Sequence, residues 1–326
     1  MPSCMYGLHL GSIGCKIHQR IAAASLVQGA YNMESERHGN NKHGDEKAEA
    51  IGERLGFEIS DRLYNAHPDD NNDNYNFEII PPKYAIAFRG TCLDPETIGE
   101  DVLYDVEFIF HHLHKSARYA SALDAVEDII SISGGPENVW SLGHSLGSLI
   151  SLMVGRNMVI KNGFHVKTFL FNPPIVAYSN LKPLRYIYWF GRSILIAGAT
   201  MLVHHLKSSR EDIDEIFNKL NAWSPYLFVN KRDDISNGDI SYFKQREKMN
   251  MIGLGGIENL ATKNSAITLV GELVGKDRKP IHLIPSAYLT IAKGSFWHPL
   301  KAHGIKQWWQ NMDHSTQNES YSYIIY

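Results

Sequence analysis

The 326-residue sequence has little cysteine, almost no excess of one charge and no long uninterrupted hydrophobic run. Its three cysteines, Cys4, Cys15 and Cys92, are odd in number and lack metal-site spacing, which excludes a disulfide framework and favours a reducing compartment. The 32 basic and 35 acidic side chains give a net charge of -3, so the basic patch that nucleic acids require is missing. We therefore expect no nucleic acid partner and no cysteine-ligated metal.

Two segments bear on secretion and membranes. The first twenty residues contain no apolar core behind a positive flank, so no secretory signal is predicted. The most apolar stretch, residues 186–203, is interrupted by Arg192 and two glycines and is shorter than the ~20 apolar residues of a spanning helix. We expect a core or surface-covering helix there and a cytoplasmic protein, while a peripheral contact with a lipid surface stays open.

What the sequence does contain is a regular alternation of short apolar runs and helical segments. Strands are predicted at 83–90, 138–142, 166–172 and 226–230, and helices at 17–33, 116–133, 148–160 and, less regularly, from about 180 to 222. This alternation predicts an α/β fold, a mostly parallel central sheet with helices on both faces. In such sheets ligands bind at the carboxyl ends of the strands.

The most specific chemical signal follows the second of these strands, at Gly143-His144-Ser145-Leu146-Gly147. It matches G-x-S-x-G, in which a nucleophilic serine occupies a sharp turn from a strand into a helix. Side chains in place of the two glycines would collide across that turn, and the helix dipole would favour negative charge developing at Ser145. The alternative is that Ser145 only caps the helix. His144 is too close in sequence to act as a base and is expected to pack or hydrogen-bond beneath the site.

A nucleophilic serine also needs two N–H donors for an oxyanion. In hydrolases of this plan one belongs to the residue after the nucleophile, here Leu146, and the other to a loop after an early strand. The run 85–91 ends at Gly90-Thr91, which makes Thr91 the candidate for the second donor. The alternative is that Arg89-Gly90 forms an ordinary turn at the end of the strand.

The general base should follow the acid, which in turn follows the serine. That order excludes the histidine cluster at 111–114, which is interpreted as a solvated helix face. The histidines after the strand at 226–230 are His282, His298, His303 and His314. His303 is the candidate, because a loop before a glycine and near two tryptophans could carry an imidazole over the serine; His298 is the alternative. The loop after the same strand offers Asp233 and Asp234 as the acid, and its residues leave both open.

"YAIAFRGT" followed by "GHSLGS" resembles the fungal-type class 3 lipases. "SLVQGAY", "FLFNPP", "IPSAYLT" and "AHGIKQWW" resemble a plant branch labelled GDSL esterase/lipase, although no Gly-Asp-Ser-Leu motif occurs here. The resemblance, over about residues 9 to 310, implies an α/β-hydrolase fold and a Ser-Asp-His triad. It favours Asp233 over Asp234, and it supports Thr91 and Leu146 as the oxyanion pair.

These features together predict one α/β-hydrolase domain over residues 1–326, with a helical lid-like insertion around 178–222. The expected activity is that of a carboxylesterase or lipase acting through an acyl-enzyme on lipid or other acyl esters, without a metal or organic cofactor. A non-catalytic ligand-binding protein of the same fold and an acyltransferase with the same triad are the alternatives. The oligomeric state does not follow from the sequence.

Overall fold

The computed structural model describes ten parts of the chain: residues 16–40, 57–59, 82–90, 113, 116–174, 210–233, 235–254, 284–292, 299–310 and 316–321. The strands are β1 Phe57–Ile59, β2 Tyr84–Phe88, β3 Val139–His144, β4 Lys167–Phe171, β5 Tyr226–Asn230, β6 Ala287–Ala292 and β7 Thr316–Tyr321. The helices are α1 Lys16–Asn40, α2 Ala117–Ser133, α3 Leu146–Asn162, α4 Arg210–Asn221, α5 Gly238–Met251, α6 Pro299–His303 and α7 Gln307–Gln310, with a short 3-10 helix at Pro136–Asn138.

All these strands form one sheet in which they lie side by side in sequence order. Strands β2 to β6 are parallel, whereas β1 and β7 are antiparallel to their neighbours at the two edges. Because Phe88 pairs with Gly143 and His144 with Phe171, the carboxyl ends of β2, β3 and β4 meet at one edge of the sheet. The predicted α/β architecture is therefore confirmed, with antiparallel strands added at both edges.

Successive side chains of each strand point to opposite sides of the sheet, and each side is covered by helices. One side, here called the aromatic face, packs against α1 and α7; its main members are Trp140, Leu142, Phe169, Phe171 and Phe228. The other, the aliphatic face, packs against α2, α3, α4 and α5; its main members are Ile86, Val139, Leu170, Leu227 and Val229. Apart from the half-buried first residues of β2, β4 and β5, every residue of β2 to β5 is thus buried whichever way it points.

Local sequence accounts for the ends of α2 and α3. Before α2, the hydroxyl of Ser116 accepts the N–H of Tyr119 at 3.1 Å, which satisfies one of the free amides of the first turn. Both helices end at glycines in the left-handed region, Gly134 with φ of 87° and Gly163 with φ of 69°. A side chain at either position would add strain, so glycine favours these stops.

The predicted strand at 226–230 has the bounds of β5, and β2, β4, α2 and α3 lie within about two residues of their predicted positions. The prediction missed β6 and α5, and it missed the edge strands. Residues 175–209, which include the stretch 186–203, lie outside the described residues. Among the described helices, none is both long and apolar enough to cross a membrane.

Candidate active site

Ser145 lies between the last residue of β3 and the first residue of α3, at the edge where the parallel strands end. Its backbone has φ of 54° and ψ of -129°, a strained conformation for a residue with a side chain. The Ser145 N–H donates to the carbonyl of Phe171 at 3.0 Å, and its carbonyl accepts the N–H of Ser148 at 2.8 Å. The Ser145 hydroxyl does not cap the described helix α3, so the capping interpretation is wrong.

Three glycines allow this turn to form. A Cβ on Gly143 would collide with the carbonyl of Gly147, as predicted. A Cβ on Gly147 would instead run into the carbonyl of Phe88 and lie 2.7 Å from the carbonyl of Arg89, at the end of β2. A Cβ on Gly90 would lie 2.7 Å from the Cβ of Ser145. The loop after β2 therefore packs directly against the turn that holds Ser145, an approach that only glycines permit.

The structure brings Ser145, Asp233 and His303 together in one hydrogen-bonded chain. The Nδ1 of His303 lies 2.7 Å from Oδ2 of Asp233, and its Nε2 lies 2.9 Å from the hydroxyl oxygen of Ser145. A carboxylate can only accept, so Nδ1 carries the proton, and the unprotonated Nε2 of a neutral ring accepts the serine hydroxyl. Only 1% of Asp233 is exposed, against 8% for each of its two partners. Asp234 and His298 lie outside the described residues.

Asp233 is held in a turn that directly follows β5. Its N–H donates to the carbonyl of Asn230 at 3.0 Å, and its Oδ1 accepts the N–H of Ile235 at 3.1 Å. Its Oδ2 accepts the hydroxyl of Ser236 as well as the imidazole of His303. The carboxylate can therefore rotate little without losing donors, and it presents a fixed oxygen to the imidazole.

His303 is the last residue of the short helix α6, not part of an open loop as predicted. Its main-chain oxygen accepts two buried donors, Nε2 of His144 at 2.7 Å and Nδ2 of Asn172 at 3.0 Å. Nδ2 of Asn172 also donates to the carbonyl of Ala302 at 2.8 Å, and its Oδ1 accepts the indole N–H of Trp308 at 3.1 Å. Asn172 thus joins the end of β4 to the last two residues of α6 and to α7.

Asn172 is a residue of the candidate site that the sequence did not predict. It is fully buried and has a φ of 43°, in the left-handed region that asparagine tolerates better than most side chains. Its position offered one signal, because "FLFNPP" places an amide at the carboxyl end of the strand after the elbow strand. Parallel pairing of β3 and β4 puts that amide beside Ser145.

His144 hydrogen-bonds beneath the site, as predicted. Its Nδ1 lies 2.8 Å from the hydroxyl oxygen of Tyr31, and that hydroxyl accepts the N–H of Gly90 at 2.8 Å. Burial, with a smaller contribution from the neighbouring imidazole of His303, lowers the pKa of His144 from 6.5 to about 3. His144 is therefore neutral at physiological pH.

Of the two predicted oxyanion donors, the structure describes Leu146 but not Thr91. Leu146 is the first residue of α3, and an amide of a helix's first turn has no acceptor within its own helix. Thr91 lies outside the described residues, but the loop leading to it is fixed. Arg89 forms an ion pair with Glu34 at 3.0 Å, and its carbonyl accepts the guanidinium of Arg118 at 2.5 Å.

The described residues contain no group of three or more histidine, cysteine, aspartate or glutamate side chains that could hold a metal ion.

Comparison with known proteins gives one strong match. The chain is 32% identical over 345 residues to a protein of Arabidopsis thaliana named GDSL esterase/lipase, and the match covers 97% of this chain and 96% of that relative. No family model matches the chain, and no solved structure matches it. The chain belongs to the plant family of carboxylic ester hydrolases that carries the name GDSL esterase/lipase.

Proposed function

We propose that this protein is a serine carboxylesterase or lipase in which Ser145 is the nucleophile, His303 the general base and Asp233 the acid that orients the base. The observation that carries this proposal is the continuous chain of hydrogen bonds from carboxylate to imidazole to hydroxyl, at 2.7 and 2.9 Å. The strained backbone of Ser145 supports it, because strain at a residue that caps nothing is typical of an active site.

The reaction follows from the direction of these bonds. His303 Nε2 takes the proton of the Ser145 hydroxyl as the oxygen attacks the ester carbonyl, and the tetrahedral intermediate forms. The imidazolium then returns that proton to the leaving alcohol, the carbon–oxygen bond breaks and an acyl-serine remains. Water, deprotonated by the same nitrogen, then attacks the acyl-serine. The bond between the acyl carbon and the Ser145 oxygen breaks, the imidazolium returns the proton to that oxygen and the carboxylic acid leaves, while Asp233 stabilises the transient imidazolium.

Two main-chain amides would stabilise the oxyanion, those of Leu146 and Thr91. The amide of Leu146 lies at the amino end of α3, where the helix dipole also favours negative charge. The neighbouring amides of Ser145 and Gly90 already donate to Phe171 and Tyr31. This leaves the next amide along the loop after β2, that of Thr91, for the second donor.

The same proposal includes an α/β-hydrolase fold related to the fungal class 3 lipases. Strands β2 to β6 are parallel and in sequence order, the serine follows the second of them, and serine, aspartate and histidine come in the order that this fold uses. We extend it to a single domain over 1–326, with a lid around 178–222, a cytoplasmic location and acyl esters, including lipids, as substrates.

The test is labelling with a fluorophosphonate, which reacts with activated serines, together with hydrolysis of p-nitrophenyl esters of increasing acyl length. Ser145→Ala should abolish labelling and lower turnover by a factor on the order of 10⁴ to 10⁶, and Asp233→Asn by on the order of 10⁴. Ser151→Ala is the matched control, because Ser151 is a buried serine of the adjoining helix α3 whose hydroxyl bonds only that of Ser141 among the described residues.

Each outcome discriminates between functions. Retained labelling or turnover in Ser145→Ala would contradict the proposal. A wild-type protein that binds acyl esters with neither turnover nor labelling would instead support a ligand-binding protein. Transfer of the acyl group to an added alcohol in preference to water would support an acyltransferase.

A further inference from the structure

We propose that Tyr31 and His144 are positioning residues of this esterase. They form a directed hydrogen-bond relay, Gly90 to Tyr31 to His144 to the main-chain oxygen of His303, that couples the loop carrying the second oxyanion donor to the general base. This inference rests on the proposed function, since it assigns a role in catalysis to residues outside the triad.

The relay is continuous and its bonds are short. The N–H of Gly90 lies 2.8 Å from the hydroxyl oxygen of Tyr31, and that oxygen lies 2.8 Å from Nδ1 of His144. On the other side of the ring, Nε2 of His144 lies 2.7 Å from the main-chain oxygen of His303. Four residues that are distant in sequence are therefore joined by three hydrogen bonds.

Each bond has only one allowed direction. An amide N–H can only donate, so the Tyr31 oxygen accepts from Gly90, and a carbonyl can only accept, so Nε2 of His144 carries a proton. The buried ring of His144 is neutral, which leaves Nδ1 without a proton. The Tyr31 hydroxyl must then donate to Nδ1. All the protons of the relay point from Gly90 toward His303.

The direction matters because a second proton on His144 would break the relay. Nδ1 would then become a donor facing the Tyr31 hydroxyl, whose oxygen already accepts from Gly90, and the Tyr31 O–H could no longer donate to the ring of His144. The ring of His144 also lies 5.1 Å from that of His303, between centroids, so a charge there would oppose the imidazolium of catalysis. A neutral His144 is thus a condition for both the relay and the base.

The two ends of the relay are the two places where the geometry of the reaction is set. At one end, Gly90 precedes Thr91 and is so close to the elbow that an added Cβ would lie 2.7 Å from that of Ser145. At the other end, the accepting oxygen belongs to the same residue as the catalytic imidazole. The bonds of the relay run to Gly90 and His303 and not to the Ser145 hydroxyl, so Tyr31 and His144 act through those two residues.

Helix α1 holds this loop at a second point. Glu34, one turn after Tyr31 on the same helix, forms the ion pair with Arg89 at 3.0 Å. Residues three apart on a helix share a face, so α1 presents a phenol and a carboxylate together to the end of β2. This explains why an amino-terminal helix that contributes no group to the triad packs beside the active site.

Kinetics of Tyr31→Phe provide the first test. We expect kcat to fall by on the order of 10-fold to 100-fold with KM changed by less than about threefold, because a misplaced base and oxyanion loop affect the transition state more than substrate binding. Tyr119→Phe is the matched control, because it also removes a tyrosine hydroxyl, one that bonds Asn157 and not the relay. Its kcat should stay within about twofold of wild type. His144→Gln, which keeps an N–H donor for His303, should retain more activity than His144→Phe.

The tautomer of His144 provides a second test that does not depend on turnover. In protein labelled with ¹⁵N-histidine, the signals that disappear in His144→Gln should show a proton on Nε2 and none on Nδ1, without titrating from about pH 5 to 8. A proton on Nδ1, or titration in that range, would overturn the relay. So would a Tyr31→Phe protein as active as Tyr119→Phe. A wild-type protein that shows neither turnover nor labelling would instead overturn the proposed function, and with it the positioning role of Tyr31 and His144.

Discussion

The proposed nucleophile and the proposed base are held in place by different means. Ser145 is fixed by its own main chain, in the turn between β3 and α3. Gly143 and Gly147, which flank it closely in sequence, allow this turn to form. His303 is fixed by side chains from separate parts of the chain, among them His144, Asn172 and Asp233. The first arrangement is local and steric, while the second is distributed and depends on hydrogen bonds. The two regions should therefore fail in different ways when they are altered.

The elbow should be the more sensitive region, and Gly147→Ala should have the largest effect. The added Cβ would overlap the main chain of β2 at Phe88, and two packed strands cannot separate cheaply. We expect a loss of at least ~3 kcal/mol in unfolding free energy, measured by denaturant titration. Gly29→Ala is the control: it lies in α1 with open space around it, so it should be neutral or stabilising by up to ~1 kcal/mol. Equal effects of the two substitutions would contradict the steric account of the elbow.

The region around the base should respond more gradually, and Asn172→Ala tests it. The substitution leaves the carbonyls of Ala302 and His303 and the indole of Trp308 each short of a partner. We expect a loss of ~2 to 3 kcal/mol in stability and a fall in kcat of about tenfold, because His144 still anchors His303.

The matched control is Asn138→Ala. It removes the hydrogen bond from the side-chain amide of Asn138 to the carbonyl of Ser133, far from the triad. It should lower stability by ~1 kcal/mol and leave kcat unchanged. An Asn172→Ala protein that is destabilised but retains full kcat would show that Asn172 supports the fold alone.

The same contrast explains what the sequence could predict. The elbow was readable because its requirements lie within five consecutive residues, and the short apolar runs of β2 to β5 were readable because burial on both faces leaves few polar positions. Chain order leaves several candidates for the acid and the base; the family resemblance favours Asp233, and the residues around His303 favour that histidine. Tyr31 carried no local signal and Asn172 only its place at the end of a strand, since the importance of both comes from partners about 60 to 130 residues away.

Edge elements were missed for a related reason. The strand β7 has the sequence TQNESY, with no apolar alternation, so only its pairing with β6 marks it as a strand. Helix α5, GDISYFKQREKMNM, has charged residues within a helix whose Ile240 and Phe243 are buried against the sheet. Both elements are stabilised by tertiary contacts, and neither shows a clear periodic pattern of apolar residues in its sequence.

The smallest expected effect concerns the acid sensitivity that the base region acquires from His144. Its pKa is about 3 in the folded protein, whereas a solvated histidine of the unfolded chain has a pKa of 6.5, so between these values the unfolded chain binds a proton that the folded one excludes. The contribution of neutral His144 to stability is therefore complete above pH 6.5 and declines as the pH falls toward 3, by at most ~1.4 kcal/mol per pH unit.

His144→Gln removes this titrating group, so the stability difference between wild type and variant should shrink on acidification from about pH 7.5 to about pH 5. Denaturant titrations at several pH values measure it, with the exposed His165→Gln as control. A difference that stays constant with pH would show that His144 accepts a proton in the folded state, and that the base region tolerates a charge where the elbow tolerates no added methyl group.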